Sequence, residues 1–164
     1  LKEIFNFIKN LEKKYLNKVK IRLYYKDYEK NLKKLFLQEF PNLQFENYEK
    51  NILKSYEESK ICIIGNNTTT YLESFSSNTP TVIFWNKNYS ELRESAKKHF
   101  KDLEENSIYH SSGFAAAEFI NKNYDNIEEW WNSNSIIKAK KNFLNIYCKE
   151  YDNFNNLKKI IEQI

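Results

Sequence analysis

The sequence predicts an α/β protein: a doubly wound parallel sheet flanked by helices, with a helical C-terminal extension. Three observations carry this. Two short apolar runs, Ile61-Cys62-Ile63-Ile64 and Thr81-Val82-Ile83-Phe84-Trp85, lack polar alternation, as strands buried on both faces do. Between them lies a helical-looking segment after Gly65, the crossover that parallel neighbours require. Upstream, segments of helical and strand period alternate in the same way, which is the pattern of a Rossmann-like fold.

The elements follow in order. Leu1, Ile4, Phe5, Ile8, Leu11, Tyr15 and Leu16 recur at three- and four-residue steps and predict one helix through about residue 16. Val19 to Tyr25 alternates like a strand. Asp27 reads as an N-cap for a helix through Leu32, Leu35, Phe36 and Phe40, which Pro41 stops. Leu43 to Glu46 is a short strand and Tyr48 to Glu58 a helix. After the central strand, helix and strand comes a helix from Ser90 to about Leu103, with Leu92, Ala96, Phe100 and Leu103 on its inner face. Ile108-Tyr109-His110 is a last short strand, and Ser111-Ser112 cap a helix through Ala115, Ala116, Phe119 and Ile120. Ile127 to Trp131, Ile136 to Tyr151 and Asn155 to Ile164 complete the chain as helices.

Composition sets limits on function. The 164 residues, 41% hydrophobic and 29% charged, suit one globular domain with a real core. With only two Gly and two Pro, no internal linker is expected, so 1–164 is read as a single domain. The chain starts at Leu1 and contains no Met, which predicts that it is a piece of a longer protein. Its 26 basic and 22 acidic residues are interspersed, and no RNA-binding aromatic motif occurs, so no nucleic acid partner is expected. Cys62 and Cys148 form no CxxC pair and only His99 and His110 could join them, so neither a metal nor a cofactor is expected. No apolar run reaches the length of a membrane span, and Lys2 and Glu3 stand where a signal peptide would be apolar. No transmembrane segment and a cytoplasmic location are therefore expected.

Open α/β sheets bind ligands beyond the carboxyl ends of their strands. This rule nominates Lys26 and Asp27, Glu46 to Tyr48, Gly65 to Thr70, Trp85 to Tyr89, and His110 to Ser112. Gly65 is expected to turn the chain sharply. Asn66 to Thr70 would cap the next helix and leave backbone N–H groups facing outward, favouring an anion. Glu73 lies one turn further on. It could reach a ribose hydroxyl pair, or complete a capping box with Thr70, and the residues alone leave both readings open. Lys26, Asn86 and His110 are candidates for phosphate or sugar contact. Arg22 could neutralise phosphate or lie solvated on the surface, and of Trp130 and Trp131 at least one should pack.

The stretch from Gly65-Asn66-Asn67-Thr68-Thr69-Thr70-Tyr71-Leu72-Glu73 to Thr79-Pro80-Thr81-Val82-Ile83 resembles the glycine-to-proline segment in the nucleotide-binding, C-terminal half of GT-B glycosyltransferases. Phe45-Glu46-Asn47, the helix ending Ile52-Leu53-Lys54-Ser55-Tyr56, and Ile61 resemble the strand, base-contact loop, helix and strand that precede it. Glu73 to Trp85, Asn88 to Arg93 and Trp130-Trp131-Asn132 are similar to an uncharacterised family of bacterial transferases linked to surface-polysaccharide synthesis. The resemblance implies that Glu73 holds the ribose of a sugar nucleotide. It implies that the backbone of Thr68, Thr69 and Thr70, in one loop with Gly65 and Asn67, cradles the pyrophosphate, and that Glu46, Asn47 and Tyr48 contact the base.

Two departures stand out. Asn78 replaces a second Gly, a change that a left-handed turn tolerates, and no Gly-Arg-Leu type strand precedes the first helix. What the resemblance implies overall is a donor-nucleotide-binding domain that needs an absent N-terminal domain for its acceptor and catalytic base, and is not active alone. A sugar-nucleotide epimerase, a polyol-phosphate transferase domain, or a non-catalytic α/β interaction module are the alternatives. A dinucleotide oxidoreductase is disfavoured, since Gly65 and Gly113 cannot make a GxGxxG loop.

Overall fold

A computed structural model describes residues 1–24, 31–88 and 90–148. Lys26, Asp27, Tyr89 and the expected helix at 155–164 lie outside the described residues. The elements run α1 (Lys2–Asn10), α2 (Lys13–Leu16), β1 (Lys20–Ile21), α3 (Leu32–Glu39), β2 (Gln44–Phe45), α4 (Ile52–Glu58), β3 (Cys62–Ile64), α5 (Thr70–Ser76) and β4 (Thr81–Phe84). There follow α6 (Glu94–Glu105), β5 (Tyr109–His110), α7 (Gly113–Asn123), a single 3-10 turn, α8 (Ile127–Trp131) and α9 (Asn134–Tyr147).

Every strand pairing is parallel, and helices cover both faces of the sheet built on β4. All four residues of β4 are buried. Val82 and Phe84 pack into a cluster with Phe7 and Ile8 of α1, Phe36 of α3, and Ala116, Ala117 and Ile120 of α7. Ile83 and the following Trp85 point the opposite way, into a cluster with Tyr71 and Phe75 of α5, Phe100 and Leu103 of α6, Trp131, and Phe143 of α9. This period-2 division is why the run reads as apolar throughout: both of its faces are core. The expected α/β architecture with helices on either side is what forms.

The expected single sheet is not. Among the described residues the strands form two sheets, β1-β2 and β3-β4-β5. Cys62 pairs with Thr81 and Ile83 with Tyr109 in the larger sheet, and Lys20 with Gln44 in the smaller.

Other expectations are corrected at element ends. The first helix does not run unbroken to residue 16. Leu11 and Glu12 are extended, with ψ of 135° and 141°, because Asn121 of α7 clamps the break: its Oδ1 accepts from Glu12 N at 2.9 Å and its Nδ2 donates to Asn10 O at 2.8 Å. The apolar stripe survives the break, since Leu11 and Tyr15 stay in one cluster. β1 is shorter than the alternating run suggests. The helix expected from Tyr48 starts at Ile52, because Asn47 Oδ1 accepts from Glu49 N at 3.0 Å in an Asx turn and Asn51 then caps α4 through Leu53 N at 2.9 Å. The helix expected from Ser90 starts at Glu94, whose charge sits in the favourable first turn.

α1 and α7 cross closely enough that a Cβ on Gly113 would lie 1.9 Å from Glu3 O. Glu3 also caps α7, its Oε2 accepting from Gly113 N at 2.8 Å. On the other face Asn78, with φ of 55°, ends the α5 turn in the left-handed conformation that its sequence position allows. Its carbonyl accepts from Trp131 Nε1 at 3.0 Å and its side chain from Lys140 Nζ, so one turn residue docks both α8 and α9.

Candidate functional site

Side chains of α4 bond the loop after β2 through Ser55 and the start of α5 through Tyr56. Arg22, just past β1, donates to Glu46 Oε2 at 2.9 Å, to Tyr48 O at 3.0 Å and to Lys50 O at 2.7 Å. It braces the loop rather than lying solvated on the surface. Glu46 also accepts from Ser55 Oγ at 2.8 Å and pairs with Lys50 Nζ at 3.1 Å. Burial pushes the Glu46 carboxyl up, yet its bonds to Arg22, Ser55 and Lys50 together outweigh this and hold it below the usual carboxylate value. With its charge thus matched, Glu46 shapes the loop. Asn47 is used in its Asx turn, and Tyr48 presents its ring to solvent at 58% exposure.

From the same helix, the Tyr56 hydroxyl lies 3.3 Å from Glu73 Oε2 and 3.4 Å from Thr70 O, and its one proton serves either acceptor in turn. Burial first, and then the Glu73 charge, push the Tyr56 hydroxyl well above its ordinary value, so it stays a donor. Tyr56 has no distinguishing motif in the sequence and was missed there; its spacing from Ile52 marks it only as a core position.

Glu73 itself is exposed on α5. The helix N-cap is Thr69, one residue earlier than expected, so the third capping-box position falls on Leu72 and Glu73 stands a residue beyond it. Its carboxylate accepts from the Tyr56 hydroxyl of α4 instead of folding back over the helix start.

The 65–69 loop between β3 and α5 is largely exposed. Thr68 Oγ1 bonds Asn66 Oδ1 at 3.2 Å and lies 3.3 Å from Thr70 Oγ1, while Asn67 Oδ1 accepts from Tyr71 OH at 3.3 Å. Thr69 makes no side-chain cap bond. Gly65 has an ordinary negative φ. The reason for glycine is therefore not a sharp turn but close approach: a Cβ there would stand 2.6 Å from Ile4 Cγ1 and 3.0 Å from Phe84 Cζ.

The remaining candidates are not drawn to this group. Asn86 Oδ1 accepts from Asn88 N at 2.9 Å within its own loop. Trp85 turns into the core, where its Nε1 is buried without a partner among the described residues. His110 is turned toward Ser107 O, 2.9 Å from Nε2, with its ring 5.3 Å from that of Phe119. Trp130 and Trp131 both pack, against Phe119 and Phe75 respectively. Cys62 is a free thiol that burial pushes up to about 12, which leaves it unreactive. Among the described residues no cluster of His, Cys, Asp and Glu is placed to hold a metal, and no helix is long and apolar enough to cross a membrane.

The fold is a parallel α/β sheet with an exposed carboxylate, Glu73, just beyond the carboxyl end of β3, the edge at which open α/β sheets bind ligands. The sequence model of the LIC12162 family transferases matches residues 1–161, and the chain belongs to that family. No curated protein and no solved structure matches it.

Proposed function

We propose that this chain is the donor-nucleotide-binding domain of a GT-B-type glycosyltransferase and holds the nucleoside diphosphate of an activated sugar. The observation that carries the reading is the exposed Glu73 carboxylate, steadied by Tyr56 one turn into the helix that follows β3. Glu73 would accept from the ribose hydroxyls, and the backbone N–H groups at Thr68, Thr69 and Thr70 would face the diphosphate. With Glu46 bound internally, contact with the base falls to the Tyr48 ring and the backbone of Asn47. Charge growing on the departing nucleoside diphosphate would be met by the amides and the dipole at the start of α5, an electrostatic role that needs no metal. The acceptor and the catalytic base would come from an N-terminal domain of the longer chain, in the cytoplasm, for the synthesis of a surface polysaccharide.

The test is a thermal-shift series on the intact protein with UDP, GDP, CDP, dTDP and ADP. A ligand at a hundred times its dissociation constant stabilises a fold by about 2.7 kcal/mol, enough for a clear rise in Tm. One nucleotide should raise the Tm of the parent, and Glu73→Gln should abolish that rise while melting at nearly the parental temperature. No shift with any of the five, or a shift that Glu73→Gln retains in full, refutes the reading.

A further inference from the structure

Lys140 is buried without an anionic partner. It lies on α9 at 8% exposure, the only charged side chain that is buried among the described residues. An ammonium carries three donors. One goes to Asn78 Oδ1, and the face of the Trp131 ring lies 4.2 Å away. Both partners are neutral, and among the described residues no carboxylate pairs with Lys140. Burial alone acts on the group and holds its pKa below the ordinary lysine value. A buried ammonium stays costly until its charge is matched and its donors are filled. One amide oxygen and one ring face do this only in part.

Lys140 also lines a groove of about 450 Å³ beside α9, a volume that suits a small molecule. The lining divides by chemistry. Phe75, Ile137 and Leu144 are apolar, while Asn78, Lys140 and Lys141 bring donors, and among the described residues no Asp or Glu takes part. Asn78 spends its Oδ1 on Lys140, and its Nδ2 makes no bond among the described residues. Ile137 stands 44% exposed, so the apolar part of the lining is open as well.

We infer that this groove binds a small organic anion, a carboxylate or phosphate head on a short apolar body, with the head on Lys140 and Asn78 Nδ2 and the body against Ile137 and Leu144. The head takes the donors of Lys140 that Asn78 leaves over and supplies the negative charge that the buried ammonium lacks. Lys141, exposed at the rim, adds a second positive charge that draws the anion in. The groove is separate from the proposed diphosphate contact, since Thr69 stands at the start of α5 and Asn78 follows its end. Neither reading depends on the other.

The test is NMR on the intact protein with isotope-labelled lysine and asparagine, titrated with butyrate and with butyl phosphate, and with sodium chloride as the control. The Lys140 Cε–Hε and Asn78 Nδ2–H peaks should move together and saturate with at least one probe, and the tighter of the two identifies the head group. Lys140→Met keeps an unbranched stem over Trp131. It should weaken the response of the Asn78 peaks about 30-fold or more, as loss of one partner of a buried charge pair does. Lys141→Gln should weaken it by no more than about fivefold, as for an exposed charge. Peaks that stay still with both probes, or that chloride moves as far, overturn the inference. A folded Lys140→Met variant with the parental affinity overturns it equally. The titration of the parent decides by itself if that variant does not fold.

Discussion

His110 ends β5 with its ring turned inward, and its titration has a sign that can be worked out. Burial, the largest influence, holds its folded-state pKa below the ordinary value, against smaller opposite effects from Ser107 O and Glu104. The unfolded chain therefore takes up the proton first as pH falls. The stability that neutral His110 contributes is complete above the unfolded value of about 6.5 and is lost as pH falls through it toward the folded value. The Tm of the parent should drop as pH falls below about 6.5, and His110→Gln, which keeps a donor for Ser107 O, should flatten that slope. A slope unchanged in the variant would mean that another group titrates. At this same scale the site was only half legible. Glu73 could be singled out from its place after a strand and loop, but Arg22, Ser55 and Tyr56, which hold the site together, carry no local signature. Arg22 braces residues 24 to 28 positions away, and no short window contains both ends of such a bond.

At the scale of elements, α1 and α7 cross at Gly113 with no room for a side chain between them. A methyl group at Gly113 would meet the backbone of Glu3 and of Phe7 rather than a yielding side chain. Gly113→Ala should therefore cost about 1–3 kcal/mol through forced separation of the helices, measured by denaturant unfolding, and an unchanged midpoint would show that α1 shifts freely. β3, β4, α5 and α7 were readable because each signal is local: an apolar run of strand length, or a cap such as Ser112, whose Oγ accepts from Ala115 N at 3.2 Å. The break after α1 was not, because the residue that fixes it, Asn121, is 109 positions from Glu12. The Asx turn at Asn47 was an available signal for the late start of α4, passed over because Tyr48 fits a helical period.

For the molecule as a whole, β4 is the shared wall of both cores. Phe7 packs on it from one side and Ile83 faces Phe75 and its neighbours from the other, so neither cluster can loosen alone. Phe7→Ala and Phe75→Ala should each lower stability by about 3–5 kcal/mol, and both should move a single transition seen alike by near- and far-ultraviolet circular dichroism. Two separable transitions would show that the faces melt independently. The two-faced architecture was legible from the unbroken apolar run of β4, whereas the division into two sheets was not, since β1 and β3 have the composition of paired strands. The Glu3 cap on Gly113 also bears on how the chain is made. These partners are 110 residues apart, and at roughly 5–20 residues per second a ribosome needs roughly 5 to 20 seconds to add the second after the first. Throughout that interval the apolar stripe of α1 has no α7 to cover it, and the nascent chain passes through its most adhesive stage before its own helix arrives.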